Sequence, residues 1–277
     1  MTIISLSSDF GVQSQGVGIM EATAYSIAPE VRLIHLMHGL PEFDITAAAR
    51  TLETARYLPV GCHVCICDPG VGTDRRGIIC QVNRGDYLIG PDNGVLVPAS
   101  RILGGTVRVH QITNPSYMRL PVSPIFHGRD VFVPAAAHLA NGVPIEDFGE
   151  ELQATSLAPA PYDEALVDGD RLMATVIQIN RFGSVHLNIL HEAWDKMGAI
   201  EGTTARVRLP DDNELEVRVS RTFGDVAPHE NVILKDDYGR VEIAKNLGSF
   251  VEEHPLRRGD NLQVSLAASE ASGEVRS

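Results

Sequence analysis

The first half of the chain alternates short apolar runs with stretches of helical spacing. Ile3–Ser8 is apolar and β-branched, and Val17–Ile27 carries apolar residues at helical intervals that stop before Pro29, because the residue ahead of a proline is steered away from helix. Val31–Met37 reads as a second strand. Asp44 then stands as an N-cap for Ile45–Tyr57, whose Leu52 and Ala55 keep to one face up to Pro59. His63–Cys67, Gly77–Val82, Tyr87–Ile89 and Val107–Ile112 follow as strands, and a helix is expected from Asp130 to Ala140, closed by Gly142. Strand and helix in alternation predict an α/β N-terminal domain, residues 1–152, with a mainly parallel sheet.

Residues 153–170 are rich in Ala, Pro and Asp, show no sustained period, and are expected to be a linker. Beyond them strand and turn alternate: Met173–Ile179, Ser184–Leu190, Ala205–Leu209, Glu214–Val219, Asn231–Leu234, Arg240–Ala244 and Leu262–Leu266. Arg181-Phe182-Gly183 and Pro210-Asp211-Asp212-Asn213 sit between runs as tight connections. This is the pattern of a small antiparallel barrel or sandwich, and it is expected to form an all-β C-terminal small barrel domain over 171–268, followed by a mobile Glu/Ser/Gly-rich tail at 269–277.

Composition narrows the class. The 277 residues are 44% apolar and 21% charged, a soluble globular balance with room for two cores. No apolar run reaches the roughly 18 residues of a membrane span. The N-terminus lacks a basic segment and meets an acid at Asp9, so it reads as a strand and not a signal peptide. A net charge of −13 argues against nucleic acid or an anionic membrane as partner. Cys62, Cys65, Cys67 and Cys80 crowd one short region, which suits reduced, buried thiols in a cytoplasmic protein. A zinc site is not expected from them, because no second Cys/His pair stands at ligand spacing.

Three loops carry candidate chemistry. Asp9 ends the first strand, where α/β sheets collect ligands; it either holds a ribose diol or caps the next segment. Asp68-Pro69-Gly70-Val71-Gly72-Thr73-Asp74-Arg75-Arg76 follows another strand, with Asp68 and Arg75 placed to face each other as a ligand loop or as an ordinary ion-paired turn. His127, in Phe126-His127-Gly128-Arg129-Asp130, precedes a helix and is either catalytic or structural. His35, His38, His110, His138, His186, His191, His229 and His254 show no metal-ligand spacing. The loop after Asp9 has neither the phosphate-cradle nor the dinucleotide glycine pattern, and no nucleophile elbow is present.

Taken in order, Ser8-Asp9-Phe10-Gly11, Gly16-Val17-Gly18-Ile19-Met20, Asp68-Pro69-Gly70-Val71-Gly72-Thr73, Arg75-Arg76, Pro91-Asp92-Asn93-Gly94 and Phe126-His127-Gly128-Arg129-Asp130 resemble the S-adenosyl-L-methionine hydroxide adenosyltransferases, relatives of the fluorinating and chlorinating adenosyl enzymes. The second half matches more loosely, through Arg181-Phe182-Gly183, Phe223-Gly224-Asp225-Val226 and Gly239-Arg240-Val241-Glu242. The resemblance implies attack of water at the ribose C5′ of S-adenosyl-L-methionine, giving adenosine and L-methionine with no cofactor and no metal. It implies a catalytic set of Asp68, Arg75 and His127, a ribose diol on Asp9, and Phe43 and Phe126 lining the nucleoside pocket. In the barrel it implies substrate-binding positions at Asn180, Phe182, Ser184 and Asp237. It further implies a homotrimer in which each site lies between one subunit's first domain and its neighbour's second.

The barrel positions depart from the family pattern. An Asp-Arg-Phe-Gly-Asn stretch becomes Asn180 to Ser184, and an Asn-Ser pair becomes Asp236-Asp237, which places carboxylate beside carboxylate and bears on the amino-acid end of the substrate. Two rival expectations follow: halide transfer, with Gly128 leaving room for a chloride, and an adenosyl-ligand-binding protein without turnover.

Overall fold

A computed structural model of the protein describes residues 2–267, so the expected tail at 269–277 lies outside the described residues. The chain divides into two compact units between Pro161 and Tyr162.

The first unit is built on a six-stranded sheet of β1 (Ile3–Ser8), β2 (Arg32–Met37), β3 (Cys62–Ile66), β4 (Gly77–Val82), β5 (Tyr87–Pro91) and β6 (Thr106–Gln111), in the order β2-β1-β3-β5-β4-β6. The pairings β1–β2, β1–β3 and β3–β5 are parallel, while β4 runs antiparallel to β5 and β6. The helices are α1 (Gln15–Ile27), α2 (Ile45–Leu52), α3 (Val97–Ile102) and α4 (Val133–Ala140). β1 is buried at all six positions because helices cover both faces of a parallel sheet. Ile4 and Leu6 join a core with Met20 and Ala24 of α1 and Ala136 of α4, and α2 packs on β1 and β3.

Local chemistry sets the helix ends. Asp44 caps α2 by accepting the Ala47 N–H at 2.9 Å, and the predicted run to Tyr57 continues past Leu52 as a 3-10 turn. Ser14 caps α1 through the Gly16 N–H, which starts that helix two residues earlier than the spacing suggests. The last helix is also entered early, through a π-helical turn at Gly128–Phe132. Gly142 closes it with φ +88°.

The segment 153–170, expected as a linker, holds a 3-10 turn at Ala154–Ser156 in the first unit and β7 (Leu166–Asp168) in the second. The second unit continues with β8 (Arg171–Ile179), β9 (Val185–Leu190), β10 (Thr204–Arg208), β11 (Glu214–Val219), β12 (Asn231–Lys235), β13 (Arg240–Lys245) and β14 (Asn261–Leu266). Their order is β14-β10-β11-β12-β13-β9-β8-β7, and a β14–β8 pairing closes a barrel that leaves β7 on its edge. One pairing, β11–β12, is parallel, so the barrel is not wholly antiparallel. Short helices α5 (His191–Lys196) and α6 (Phe250–Glu253) insert Trp194 and Phe250 into the barrel core.

No helix among the described residues is long and apolar enough to cross a membrane.

Candidate active site

β1 and β3 end side by side, and the loops leaving them carry the first candidates. The Asp9 N–H donates to the Ile66 carbonyl at 3.3 Å, and Asp9 Oδ2 accepts the Phe43 N–H at 3.0 Å. Phe43 takes a left-handed φ of +61°, so this bond pins a strained turn whose aromatic ring stands exposed. Capping of the next helix falls to Ser14, and Asp9 is thereby spared that role.

Asp68 lies just beyond β3, at the head of a glycine-bearing loop that returns at Arg75. Gly72 has φ +76°, and a Cβ there would collide with the Pro124 carbonyl oxygen, so only glycine lets this loop pass against the segment leading to His127. Arg75 grips Asp68 with a two-pronged fork, Nε to Oδ1 at 2.9 Å and Nη2 to Oδ2 at 2.5 Å, in near-complete burial. The same Nη2 donates to His127 Nδ1 at 2.9 Å, while the guanidinium lies over the Phe132 ring at 5.3 Å. Arginine has donors only, so His127 Nδ1 is unprotonated and the ring proton sits on Nε2. Burial lowers the His127 pKa, and Arg75 lowers it further against the opposing pull of Asp68 and Asp130, so the imidazole is neutral near pH 7.

Asp130 fixes the turn that carries His127. Its fully buried carboxylate accepts from Arg129 at 2.7 and 2.8 Å, from the Ser123 N–H at 2.8 Å and from Arg119 at 3.3 Å. Burial pushes this carboxyl up, but those bonds outweigh it and hold the pKa below the usual range. The sequence marks Asp130 as a helix start within the stretch 126–130; the signal for its anchoring role is an acid directly after an arginine, three residues past the histidine. Asp92 and Asn93 are structural in the same way. Asp92 receives Arg76 and the Ala158 N–H, and Asn93 donates to the Cys67 carbonyl at 2.8 Å, fixing the backbone just ahead of Asp68.

Asp9, Phe43, Asp68, Phe126 and His127 come together around a cavity of about 270 Å³, completed by Phe10, Ile66 and others. Phe10 and Phe126 meet edge to face at 5.8 Å. Arg75 lies behind this wall and not on it. Gly128 also lines this cavity, and a Cβ there would come within 3.0 Å of Ile66 Cδ1 and of Met20 Sδ, so the position is close-packed on that side.

In the second unit Asn180, Phe182, Ser184 and Asp237 line a separate cavity of about 800 Å³. Asn180 Oδ1 accepts the Phe182 and Ser184 N–H groups at 2.9 and 3.1 Å, which shapes the turn between β8 and β9. His186, missed by spacing arguments, lines the same cavity, with Nδ1 at 3.0 Å from Asp236 and Nε2 at 3.3 Å from Glu242. Asp236 also accepts the Tyr238 and Arg240 N–H groups at 2.8 Å each, which spreads its charge.

The four cysteines are buried and unpaired by disulfides. Burial pushes the Cys62, Cys65 and Cys80 thiols up to about 12, and Cys67 rises as well, so they stay protonated and inert. Among the described residues no group of three or more His, Cys, Asp or Glu is placed to hold a metal.

Residues 4–149 match the family model of the SAM hydroxide adenosyltransferase N-terminal domain, and residues 174–263 match that of its C-terminal domain. The chain is 34% identical over 263 residues to a protein of Salinispora tropica named (R)-S-adenosyl-L-methionine hydrolase, covering 95% of this chain and 97% of the relative. A fluorinase of Nocardia brasiliensis is more distant, at 25% identity over 291 residues and 95% and 97% coverage. A crystal structure of an uncharacterized conserved protein from Thermotoga maritima superposes with a TM-score of 0.85 at 29% identity, covering 95% of this chain and 99% of that one.

Proposed function

This chain belongs to the SAM hydroxide adenosyltransferase family, and from that premise we propose that it hydrolyses S-adenosyl-L-methionine by attack of water at the ribose C5′, giving adenosine and L-methionine. The observation that carries this reading is the Asp68–Arg75–His127 constellation, two of whose members face a cavity that also presents Asp9.

The geometry divides the labour. Arg75 locks Asp68 and His127 into one rigid unit, so neither side chain must be ordered during the reaction. Water is held between the Asp68 carboxylate, which accepts, and the His127 Nε2–H, which donates. As its oxygen bonds to C5′, the C5′–S bond breaks, the electron pair goes to sulfur, and methionine leaves as a neutral thioether. No acid is needed for that leaving group, and no cofactor or metal enters the scheme. The proton released from oxygen passes to Asp68, because His127 Nδ1 is occupied by Arg75 and Nε2 already carries a proton. The sulfonium loses its positive charge in the transition state, which the apolar wall of Phe10, Ile66 and Phe126 favours.

Asp9 takes the ribose diol, and Phe43 and Phe126 pack on the nucleoside. Asn180, Phe182, Ser184 and Asp237 recognise the adenine and amino-acid ends. A homotrimer in the cytoplasm is the assembly and location this reading carries, and sedimentation of the pure protein tests the first. Halide transfer is the weaker alternative, since the fluorinase relative is 25% identical and the hydrolase relative 34%.

The test is incubation of pure protein with S-adenosyl-L-methionine, with and without chloride, followed by chromatography of the nucleosides. Adenosine in both supports hydrolysis. A 5′-chloro nucleoside would replace it with halide transfer. Tight adenosine binding with no product would replace it with a binding protein. Asp68→Ala is expected to lose turnover by about 100-fold or more while the protein stays folded.

A further inference from the structure

His35 and His38 take no part in the proposed chemistry, yet their side chains join α1 to the end of β1. In a regular strand, residues three apart point to opposite faces. Here the β1–β2 register slips: Leu6 pairs with His35 and Ser7 with Met37, which leaves Leu36 over as a bulge. The bulge carries His38, just past β2, to the same side as His35, and the two rings meet with His35 Nδ1 at 2.9 Å from His38 Nε2. At its other nitrogen the His38 ring reaches the Ser8 hydroxyl, Nδ1 to Oγ at 2.8 Å. Ser8 is fully buried and His38 nearly so.

Glu21 of α1 gives these bonds their direction. Its carboxylate lies 3.5 Å from His35 Nε2 and can only accept, so that nitrogen carries a proton. In a neutral His35 ring Nδ1 is then the acceptor. His38 is neutral as well, since burial lowers its pKa and His35 lowers it further. Its Nε2–H therefore donates to His35, and its bare Nδ1 accepts the Ser8 hydroxyl proton. The Ser8 oxygen is thereby turned to accept the Phe10 N–H, at 3.5 Å. The His38 carbonyl takes the Gly11 N–H at 2.7 Å. Both residues that follow Asp9 are tied to His38, one through Ser8 and one directly.

We propose that His38 is a positioning residue, holding the turn at 8–11 so that the Asp9 carboxylate meets the ribose diol. This inference rests on the assignment of that diol to Asp9. Asp9 and Phe10 line the nucleoside cavity and His38 does not, so His38 acts through the turn and touches no reacting atom.

Adenosine and 2′,3′-dideoxyadenosine differ only in the diol, so the ratio of their dissociation constants, titrated by calorimetry, reads the grip of Asp9. The wild type is expected to prefer adenosine by about tenfold or more, and Asp9→Ala to abolish that preference. His38→Phe keeps a buried ring without its nitrogens. It is expected to weaken adenosine about fivefold or more and to leave dideoxyadenosine within about twofold of wild type. Ser8→Ala removes the other end of the same link and is expected to show the same pattern. A residue that merely supported the fold would weaken both nucleosides together. The proposal is overturned if folded His38→Phe keeps the wild-type preference, or weakens both ligands equally. Where His38→Phe fails to fold, judged by its melting transition, Ser8→Ala decides by the same readings. A wild type without the preference, or an Asp9→Ala that retains it, ends the diol assignment and this inference with it. An Asp9→Ala that loses the preference, beside a His38→Phe that keeps it, ends only the inference.

Discussion

Arg75 makes three directed bonds with one planar group, two to Asp68 and one to His127. A lysine offers a single point of charge and cannot reproduce that fork. Arg75→Lys is therefore expected to cut kcat by about 100-fold with a smaller change in KM, checked by steady-state kinetics. The His127 bond also sets a pH dependence. Its pKa is lowered from the ordinary 6.5, so the imidazole stays neutral above that value and gains a proton only as pH falls below it. A protonated Nδ1 cannot accept from Arg75, so kcat/KM is expected to be flat near neutral pH and to fall on the acid side, below 6.5. Position alone left Asp68, Arg75 and His127 open between ligand and structural roles, and the resemblance joined them into one set. Neither disclosed which nitrogen of His127 carries the proton, or the four-donor seat of Asp130, because both depend on groups brought together from separate loops.

Among the elements, the long strands and helices were legible because each has a buried face with a clear period. β1 emerges with its expected bounds and Asp44 with its expected cap. The elements that escaped lack such a period. α3 has six residues and starts with a proline in its first turn, β7 is exposed at all three positions, and α5 buries only Trp194. The parallel β11–β12 pairing also escaped, since a strand's own pattern does not record its neighbour's direction. The loops that build the site behave differently again: their shape is set by glycines and by contacts distant in sequence. Gly72→Ala forces a side chain into the left-handed region and against the Pro124 carbonyl. It is expected to cost about 1–3 kcal/mol and to lower both the melting temperature and kcat, read by calorimetry and turnover on the same preparation.

At the scale of the whole molecule, several histidines respond together to acid. His38, His127 and His138 have pKa values lowered first by burial, as does His254, from an ordinary value of 6.5. The unfolded chain therefore binds more protons than the folded one below 6.5, so stability is complete above that pH and falls as pH drops toward the lowered values. A second loss is expected below 3.8, where Asp86 and Asp130, both held down by hydrogen bonds that outweigh burial, take up protons. Melting temperatures followed from neutral into acid solution should fall in those two stages; a rise on mild acidification would contradict the sign. The account as a whole stands on water attacking C5′. The most direct test is to run the reaction in oxygen-18 water and weigh both products. The account predicts adenosine carrying the heavy oxygen and unlabelled methionine. Unlabelled adenosine, or methylthioadenosine with the label on the amino-acid fragment, would contradict it.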